Sequence, residues 1–256
     1  MNISDHFSLQ NRVAIVTGCS RPNGLGFGMA EALAEAGADI AGVDIVESSE
    51  AKARIEALGR RYLELREDLG GADAVGRVVQ TTLRHFGRID ILVNNAGIIR
   101  RSDAADYSER DWDDILNINL KAVFFLSQAV AQVFIKQGGG GKIINVASML
   151  SFQGGIRVPA YTASKSGVAG ITRALANEWA KHGINVNALA PGYMATDNTA
   201  ALRADPVRAA SILDRIPAGR WGENSDLKGA VVFLASRASD YVNGHVLAVD
   251  GGWLAR

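Results

Sequence analysis

The chain has 256 residues, 48% of them hydrophobic, a length that suits one α/β domain with a sizeable core and an apolar share that excludes a disordered chain. Basic and acidic side chains balance at 27 each, which gives no electrostatic reason to expect nucleic acid or an anionic membrane as a partner. In chain order, residues 1–10 are polar and read as a loose arm. Arg12 to Thr17 is a short buried-strand pattern. A turn holding Gly18, Gly24 and Gly26 follows, then a helix pattern from Phe27 to Ala36. Asp39 to Val43 reads as a second strand ending at Asp44. Ser48 to Leu58 reads as a helix, Tyr62 to Leu65 as a strand closed by Asp68, and Asp73 to Phe86 as a helix. Ile89 to Val93 is a fourth strand, Glu109 to Lys136 a long helix, and Lys142 to Ala147 a fifth strand. Pro159 to His182 is helical, Ile184 to Ala190 a sixth strand, Asp197 to Leu213 and Ser225 to Ala235 are helical, and His245 to Val249 is a last strand. Strands that alternate with helices and read as near-continuous apolar runs imply a doubly wound, Rossmann-type parallel sheet of about seven strands with helices on both faces. No linker divides the chain, so residues 1–256 read as a single domain.

The single cysteine, Cys19, excludes an intrachain disulfide and fits a reducing, cytoplasmic compartment. His6, His85, His182 and His245 are scattered without metal-ligand spacing, so no metal is expected. No basic-then-apolar signal segment opens the chain, and no apolar run approaches the roughly 20 residues that span a bilayer.

Three features carry chemistry. Strand, glycine turn and helix over Arg12 to Ala36 form the context of a dinucleotide fingerprint: glycines admit a pyrophosphate to the backbone, and the helix N-terminus offers free N–H groups. Asp44, about twenty residues past that turn, suits a ribose 2′-hydroxyl and repels a 2′-phosphate, which favours NAD over NADP. Arg21 in the turn argues the other way, because it could reach a phosphate. Tyr161 and Lys165, at i and i+4, share one helix face. A fixed cation there is expected to lower the phenol pKa from its ordinary value of about 10 and make it a general acid/base. Ser148 follows the fifth strand and Asn94-Asn-Ala-Gly97 the fourth. Strand ends of this kind lie at the carboxyl edge of a parallel sheet, where ligands bind. Asn119, in mid-helix where asparagine is unfavourable, is expected to have a task, whereas Asn117 reads as structural.

Together Thr17-Gly18 with Gly24-Leu25-Gly26, Asp68, Asn94-Asn-Ala-Gly97, Asn119, Ser148, Tyr161 with Lys165, Pro191-Gly192, Thr196 and Asp250-Gly251 resemble the short-chain dehydrogenase/reductase family over essentially the whole chain. The resemblance implies hydride transfer with a bound nicotinamide dinucleotide. It implies Tyr161 as acid/base, Lys165 as its charge partner and a ribose ligand, Ser148 as the group orienting the reacting oxygen, and Asn119 as holder of a water that links Lys165 to solvent. It places the cofactor against Gly18, Ser20, Arg21, Asn23, Gly24, Leu25 and Gly26, against Asp44, Ile45, Asp68 and Leu69, and against Asn95, Ala96 and Gly97. It adds Tyr161, Lys165, Pro191, Gly192, Met194 and Thr196, with Asp68 on the adenine, Thr196 on the carboxamide, and Asn94 and Gly97 on the adenosine side. The family is commonly tetrameric, and helices Glu109 to Lys136 and Pro159 to His182 carry more apolar residues than one sheet face needs, so a homotetramer is expected.

A narrower resemblance, to the sugar-acid dehydrogenases of this family, rests on Asn94-Asn-Ala-Gly-Ile-Ile-Arg-Arg101, Phe152-Gln-Gly-Gly-Ile-Arg-Val-Pro159, Ala190-Pro-Gly-Tyr-Met-Ala-Thr196, Ile216-Pro-Ala-Gly-Arg-Trp-Gly222 and Asp250-Gly-Gly-Trp-Leu-Ala-Arg256. It implies an oxidoreductase that interconverts a hydroxyl and a ketone on a sugar acid. The substrate carboxylate would suit an arginine, and the candidates are Arg101, Arg157 and Arg220, with Arg157 preferred because it lies between Ser148 and Tyr161. Thr196 to Arg220, polar and holding Pro206 and Pro217, reads as a substrate lid. One departure is plain: five residues, Pro22 among them, separate Gly18 from Gly24, where the family usually has three. The alternatives are an NADPH-dependent 3-oxoacyl-carrier-protein reductase or another keto-sugar reductase and, outside enzymes, a dinucleotide-sensing binding protein.

Overall fold

Residues 2–256 are described by a computed structural model. After α1 (Ile3–His6) come β1 (Val13–Thr17), α2 (Leu25–Glu35), β2 (Asp39–Asp44), α3 (Ser49–Ala57), β3 (Tyr62–Arg66), α4 (Ala74–Phe86) and β4 (Ile91–Asn94). The second half holds α5 (Glu109–Leu116), α6 (Ala122–Gln137), β5 (Gly141–Val146), α7 (Pro159–Trp179), β6 (Ile184–Pro191), α8 (Ala200–Ala204), α9 (Pro206–Arg215), α10 (Lys228–Ala235) and β7 (Val246–Val249). The seven strands form one all-parallel sheet in the order β3-β2-β1-β4-β5-β6-β7.

Alternation along the strands divides the core between the two faces. Ala14, Val16, Ile91, Val93 and Ile144 pack with Met29 and Leu33 of α2 and Leu234 of α10. Ile15, Leu92 and Ile143 pack on the other face with Val78 of α4 and Leu126, Val130 and Phe134 of α6. Because both faces are covered, β1 is buried along its whole length, and this produces the continuous apolar run seen in the sequence. Each large side chain buried in this way contributes about 1.5–3 kcal/mol.

Several boundaries differ from the sequence reading. Of the segment read as a loose arm, residue 1 lies outside the described residues, Ile3–His6 is helical, and Leu9 is buried with its N–H donating to the Ala36 carbonyl at 2.8 Å. Helix α2 begins at Leu25, two residues early, because Gly24 already takes the extended N-cap conformation. Strand β4 begins at Ile91, since the Ile89 N–H donates to the Gln137 side chain instead of the ladder. The segment Asp197 to Leu213 is split: Asp205 caps a new helix, accepting from the Val207 and Arg208 N–H groups just ahead of Pro206. The long helix is interrupted by a π-helical turn, Asn117–Lys121. With that turn it runs Glu109–Gln137, 29 residues, long and apolar enough by composition to cross a bilayer, contrary to the count of continuous runs. Its buried side chains, including Leu126, Val130 and Phe134, lie against the sheet, which makes it a core helix of this fold.

Candidate active site

The strand order reverses between β1 and β4, and this opens a crevice at the carboxyl edge of the sheet. The buried Thr17 hydroxyl holds its floor, accepting from the N–H groups of Asn95 at 3.0 Å and Ala96 at 2.9 Å. The Asn95 amide donates to the carbonyls of Thr17 and Gly18, both at 2.9 Å. Gly18 sits at φ +69, and a Cβ on Gly26 would run into the Gly18 carbonyl, so glycines are required where β1 hands over to α2. This close packing sets the turn against the N-terminus of α2, where Gly18, Gly24 and Leu25 line the cleft, and the unpaired N–H groups of a helix start there fit a pyrophosphate. The crevice opens into a cleft of about 1460 Å³, room for a dinucleotide and a small substrate together.

On the other side of the switch point, Ser148 lies two residues past the end of β5 in extended conformation, with its Oγ accepting from the Leu150 N–H at 3.1 Å. Helix α7 presents Tyr161 and Lys165 beside it, and the Ser151 hydroxyl donates to the Lys165 carbonyl at 2.6 Å. Lys165 is buried, and its Nζ donates to the Val146 carbonyl at 2.6 Å and lies 5.6 Å from the Tyr161 ring centroid. Burial lowers the Lys165 pKa to about 8. The expected lowering of the phenol by Lys165 is not what this structure contains. Burial pushes Tyr161 above its ordinary value, while the Ser148 hydroxyl and, after it, the Arg101 charge pull it down. The physical reason is that the Lys165 ammonium is directed onto the Val146 carbonyl and is itself desolvated.

Asn119 lies in the π-helical turn, fully buried. Its Oδ1 accepts from the Ile98 N–H at 2.8 Å, and its Nδ2 donates to the Ile98 carbonyl at 2.9 Å and to Ser164 Oγ at 3.3 Å. It therefore fixes the backbone just past Gly97 and does not line the cleft. A π-turn in a long helix places the asparagine here at the expense of regular bonding, a pattern common at functional sites. The Asn117 amide donates to Gly70.

Asp44, Ile45, Asp68 and Leu69, expected on the adenosine side, all line the cleft. The Asp44 carboxylate accepts from the Ser20 N–H at 3.0 Å and the Ile45 N–H at 2.8 Å, so part of its capacity is engaged in shaping the loop. Asp68 accepts from the Gly70 N–H at 2.9 Å. Gly18, Arg21, Gly24, Leu25, Ala96, Gly97, Pro191, Gly192, Met194 and Thr196 also line the cleft, whereas Ser20, Asn23 and Gly26 do not. Ser20 instead donates its hydroxyl to the Val46 carbonyl. Asn94 is a correction: its amide donates to Ser127 and Asn145, both at 2.9 Å, inside the core and away from the cofactor side. In the longer loop, Arg21 reaches Asp197 at 3.7 Å and the Pro22 carbonyl accepts from Asn224 at 3.0 Å.

Of the three arginines considered for a carboxylate, Arg220 forms a two-pronged pair with Asp226 at 2.7 Å and lies outside the cleft. Arg157 lines the cleft at φ +64 and pairs with Asp103 at 3.0 Å. Arg101 lines it too, and donates to the Asn198 carbonyl at 3.3 Å. Sequence reasoning passed over Met149, Tyr193, Ile212, Arg215 and Trp253, all of which wall the cleft. The Gly251-Gly252 pair, both at positive φ, was the available signal that the chain turns back there to deliver Trp253. Among the described residues, no group of His, Cys, Asp and Glu could hold a metal ion.

Comparison with known proteins agrees with this architecture. The family described as enoyl-(acyl carrier protein) reductase matches residues 18–254. The chain is 66% identical to 2-dehydro-3-deoxy-D-gluconate 5-dehydrogenase of Escherichia coli over 250 residues, 98% of each chain. Among solved structures, a protein from Agrobacterium tumefaciens with bound NADP is 51% identical, with a TM-score of 0.91 over 98% of this chain and 100% of that one. A gluconate 5-dehydrogenase from Burkholderia cenocepacia in complex with NADP and tartrate is 39% identical, with a TM-score of 0.94 over the whole of both chains.

Proposed function

This chain belongs to the short-chain dehydrogenase/reductase family, and we propose that within it the protein interconverts a hydroxyl and a ketone on a sugar acid of the 2-dehydro-3-deoxy-D-gluconate type, with NAD as the preferred cofactor. It is an oxidoreductase of the nicotinamide-dependent alcohol dehydrogenase class. The observation that carries the substrate reading is full-length identity of 66% to a sugar-acid dehydrogenase, joined to a cleft in which Ser148, Tyr161 and Lys165 stand together.

The bound nicotinamide supplies or accepts the hydride. In the reducing direction the Tyr161 phenol gives its proton to the carbonyl oxygen, and in the oxidising direction it takes the hydroxyl proton back. A phenol held above its ordinary pKa keeps its proton at neutral pH, the state ketone reduction needs. Ser148 Oγ orients the reacting oxygen and favours the phenolate through its hydrogen bond, and Lys165 would hold the nicotinamide ribose. Asn119 acts at one remove, by fixing Ile98 and hence the cleft wall beside Gly97.

Asp44 supports NAD: it ends β2 at the cleft, where a 2′-phosphate would meet a carboxylate. The solved relatives that hold NADP favour the other cofactor, as does Arg21. We further propose a homotetramer that covers the half-exposed Trp112 and Phe125 on α5 and α6, and a reducing compartment, where the buried Cys19 stays a thiol.

The test is a set of initial rates of NADH and NADPH oxidation with a 2,5-diketo-3-deoxy sugar acid, a neutral keto sugar and a 3-oxoacyl thioester. A rate with the sugar acid far above the others is expected, and at least ~10-fold in favour of NADH, equivalent to about 1.4 kcal/mol. Preference for the thioester would overturn the substrate reading, and preference for NADPH would overturn the reading of Asp44.

A further inference from the structure

A sugar acid reduced near one end carries its carboxylate at the other, so its charge needs a receptor away from Tyr161. Arg101 is poorly placed for this: its charge acts on the Tyr161 phenol, at the reacting end. Arg157 is paired with Asp103 and Arg21 with Asp197. One cleft-lining guanidinium is both held in place and without a polar partner among the described residues, that of Arg215 at the end of α9. Its central carbon lies 3.9 Å over the ring of Trp253.

The support beneath it is firm. Trp253 is 4% exposed and packs with Ile212, Ile216 and Met149, the residue after Ser148. Tyr193, which follows Gly192, meets the Trp253 ring edge-on at 4.8 Å. The stacked arginine is thus tied through two contacts to the two strand ends that flank the reacting corner. The Trp253 indole N–H is buried and has no hydrogen-bond partner. Native structures rarely leave such a donor unpaired. The ring restrains the guanidinium above it, and no hydrogen bond among the described residues engages its N–H groups, an arrangement suited to two-point binding of a carboxylate.

We propose that Arg215, held over the Trp253 ring, is the specificity residue that receives the substrate carboxylate, with Trp253 as its positioning residue. This rests on the sugar-acid reading above. Neutral keto sugars lose this contact and are discriminated against for that reason.

The experiment compares a 5-keto sugar acid with its carboxamide in the wild type, Arg215→Met, Arg215→Lys and Trp253→Phe. Arg215→Met keeps the apolar stem on the ring and removes the charge. It is expected to raise KM for the acid roughly 30-fold with little change in kcat, and to lower kcat/KM for the carboxamide only a few-fold, the loss of a neutral in place of a charge-assisted contact. Arg215→Lys falls between, because a point charge replaces a fork. Trp253→Phe keeps a ring under the guanidinium and is expected to raise the acid KM only several-fold. Equal losses for acid and carboxamide would mean that Arg215 merely packs the lid, and an unchanged acid KM would exclude it as the receptor. Either result overturns the proposal while wild-type turnover of the acid leaves the functional reading intact. A wild type that turns over no sugar acid fails the functional reading itself, before any variant is made.

Discussion

Replacing Thr17 by valine isolates the part of the fold that holds the crevice open. Valine keeps the branched shape and suits a buried strand, so the hydroxyl is the main change. In its place two backbone donors, Asn95 N–H and Ala96 N–H, lose acceptors that stand at 3.0 and 2.9 Å. Both bonds are part-buried at the cleft, where water can reach the freed donors, so the cost is set at the low end for an unpaired donor, about 1 kcal/mol each and roughly 2 kcal/mol for the pair. Burying a methyl group in place of the hydroxyl returns about 0.8 kcal/mol, so a net loss of roughly 1 kcal/mol is expected. For a chain of this size that lowers Tm by about 2–4 °C per kcal/mol. Because the two donors belong to the crevice floor, dinucleotide Kd should rise at least ~5-fold, about 1 kcal/mol. Thr82→Val is the control: Thr82 is equally buried, but its hydroxyl only donates to the Val78 carbonyl in its own helix. Thermal unfolding with and without dinucleotide, together with titration of NADH fluorescence, reads both effects. If Thr17→Val matched Thr82→Val in stability and bound NADH as the wild type does, the reasoning about the crevice floor would be refuted.

Other outcomes follow from the same geometry. Alanine in place of glycine inside a helix ordinarily adds about 1 kcal/mol of stability. At Gly26 its Cβ would instead meet the Gly18 carbonyl and the Asn95 amide, so Gly26→Ala should lose stability and most dinucleotide affinity. A stabilised Gly26→Ala protein with normal NADH binding would contradict this packing. For Lys165, burial lowers the folded pKa from 10.5 to about 8. Folding therefore releases a proton between these values; the penalty for burying the ammonium is present in full below pH 8, and stability rises as pH climbs from 8 towards 10.5. Activity runs the opposite way, since the ammonium is the form that donates to the nicotinamide ribose: kcat/KM for ketone reduction should be level below pH 8 and fall as pH rises through it. In Lys165→Arg the charge persists, and the falling limb should vanish from whatever rate remains. An identical limb in that variant would assign it to another group.

Much of the fold was legible because the sheet is covered on both faces. Strands such as Val13–Thr17 then show unbroken apolar runs, and the glycines of the first turn mark where the backbone must close on itself. Tyr161, Lys165 and Ser148 could be singled out because their residue types and spacing carry chemistry of their own. Roles set by three-dimensional partners were hidden. Asn94 and Asn95 are adjacent and alike in sequence, yet the pleat sends one into the core against Ser127 and Asn145 and leaves the other at the crevice. Arg157 and Arg220 looked available until Asp103 and Asp226 were found beside them. Arg215 was passed over, because the tryptophan beneath it arrives from the far end of the chain. The segment read as one helix, Asp197 to Leu213, divided into α8 and α9 because one carboxylate, Asp205, caps a new helix there.

The most direct test of the central claim is the rate of NADH-dependent reduction of a 2,5-diketo-3-deoxy sugar acid by Tyr161→Phe, measured beside its Kd for NADH. The ring stays and only the hydroxyl is lost, so fold and dinucleotide affinity should hold while kcat falls by about 10²–10⁴, the span of a positioned proton donor. A Tyr161→Phe protein that reduces the substrate within a few-fold of the wild-type rate would contradict the assignment of Tyr161 as the acid/base of this site.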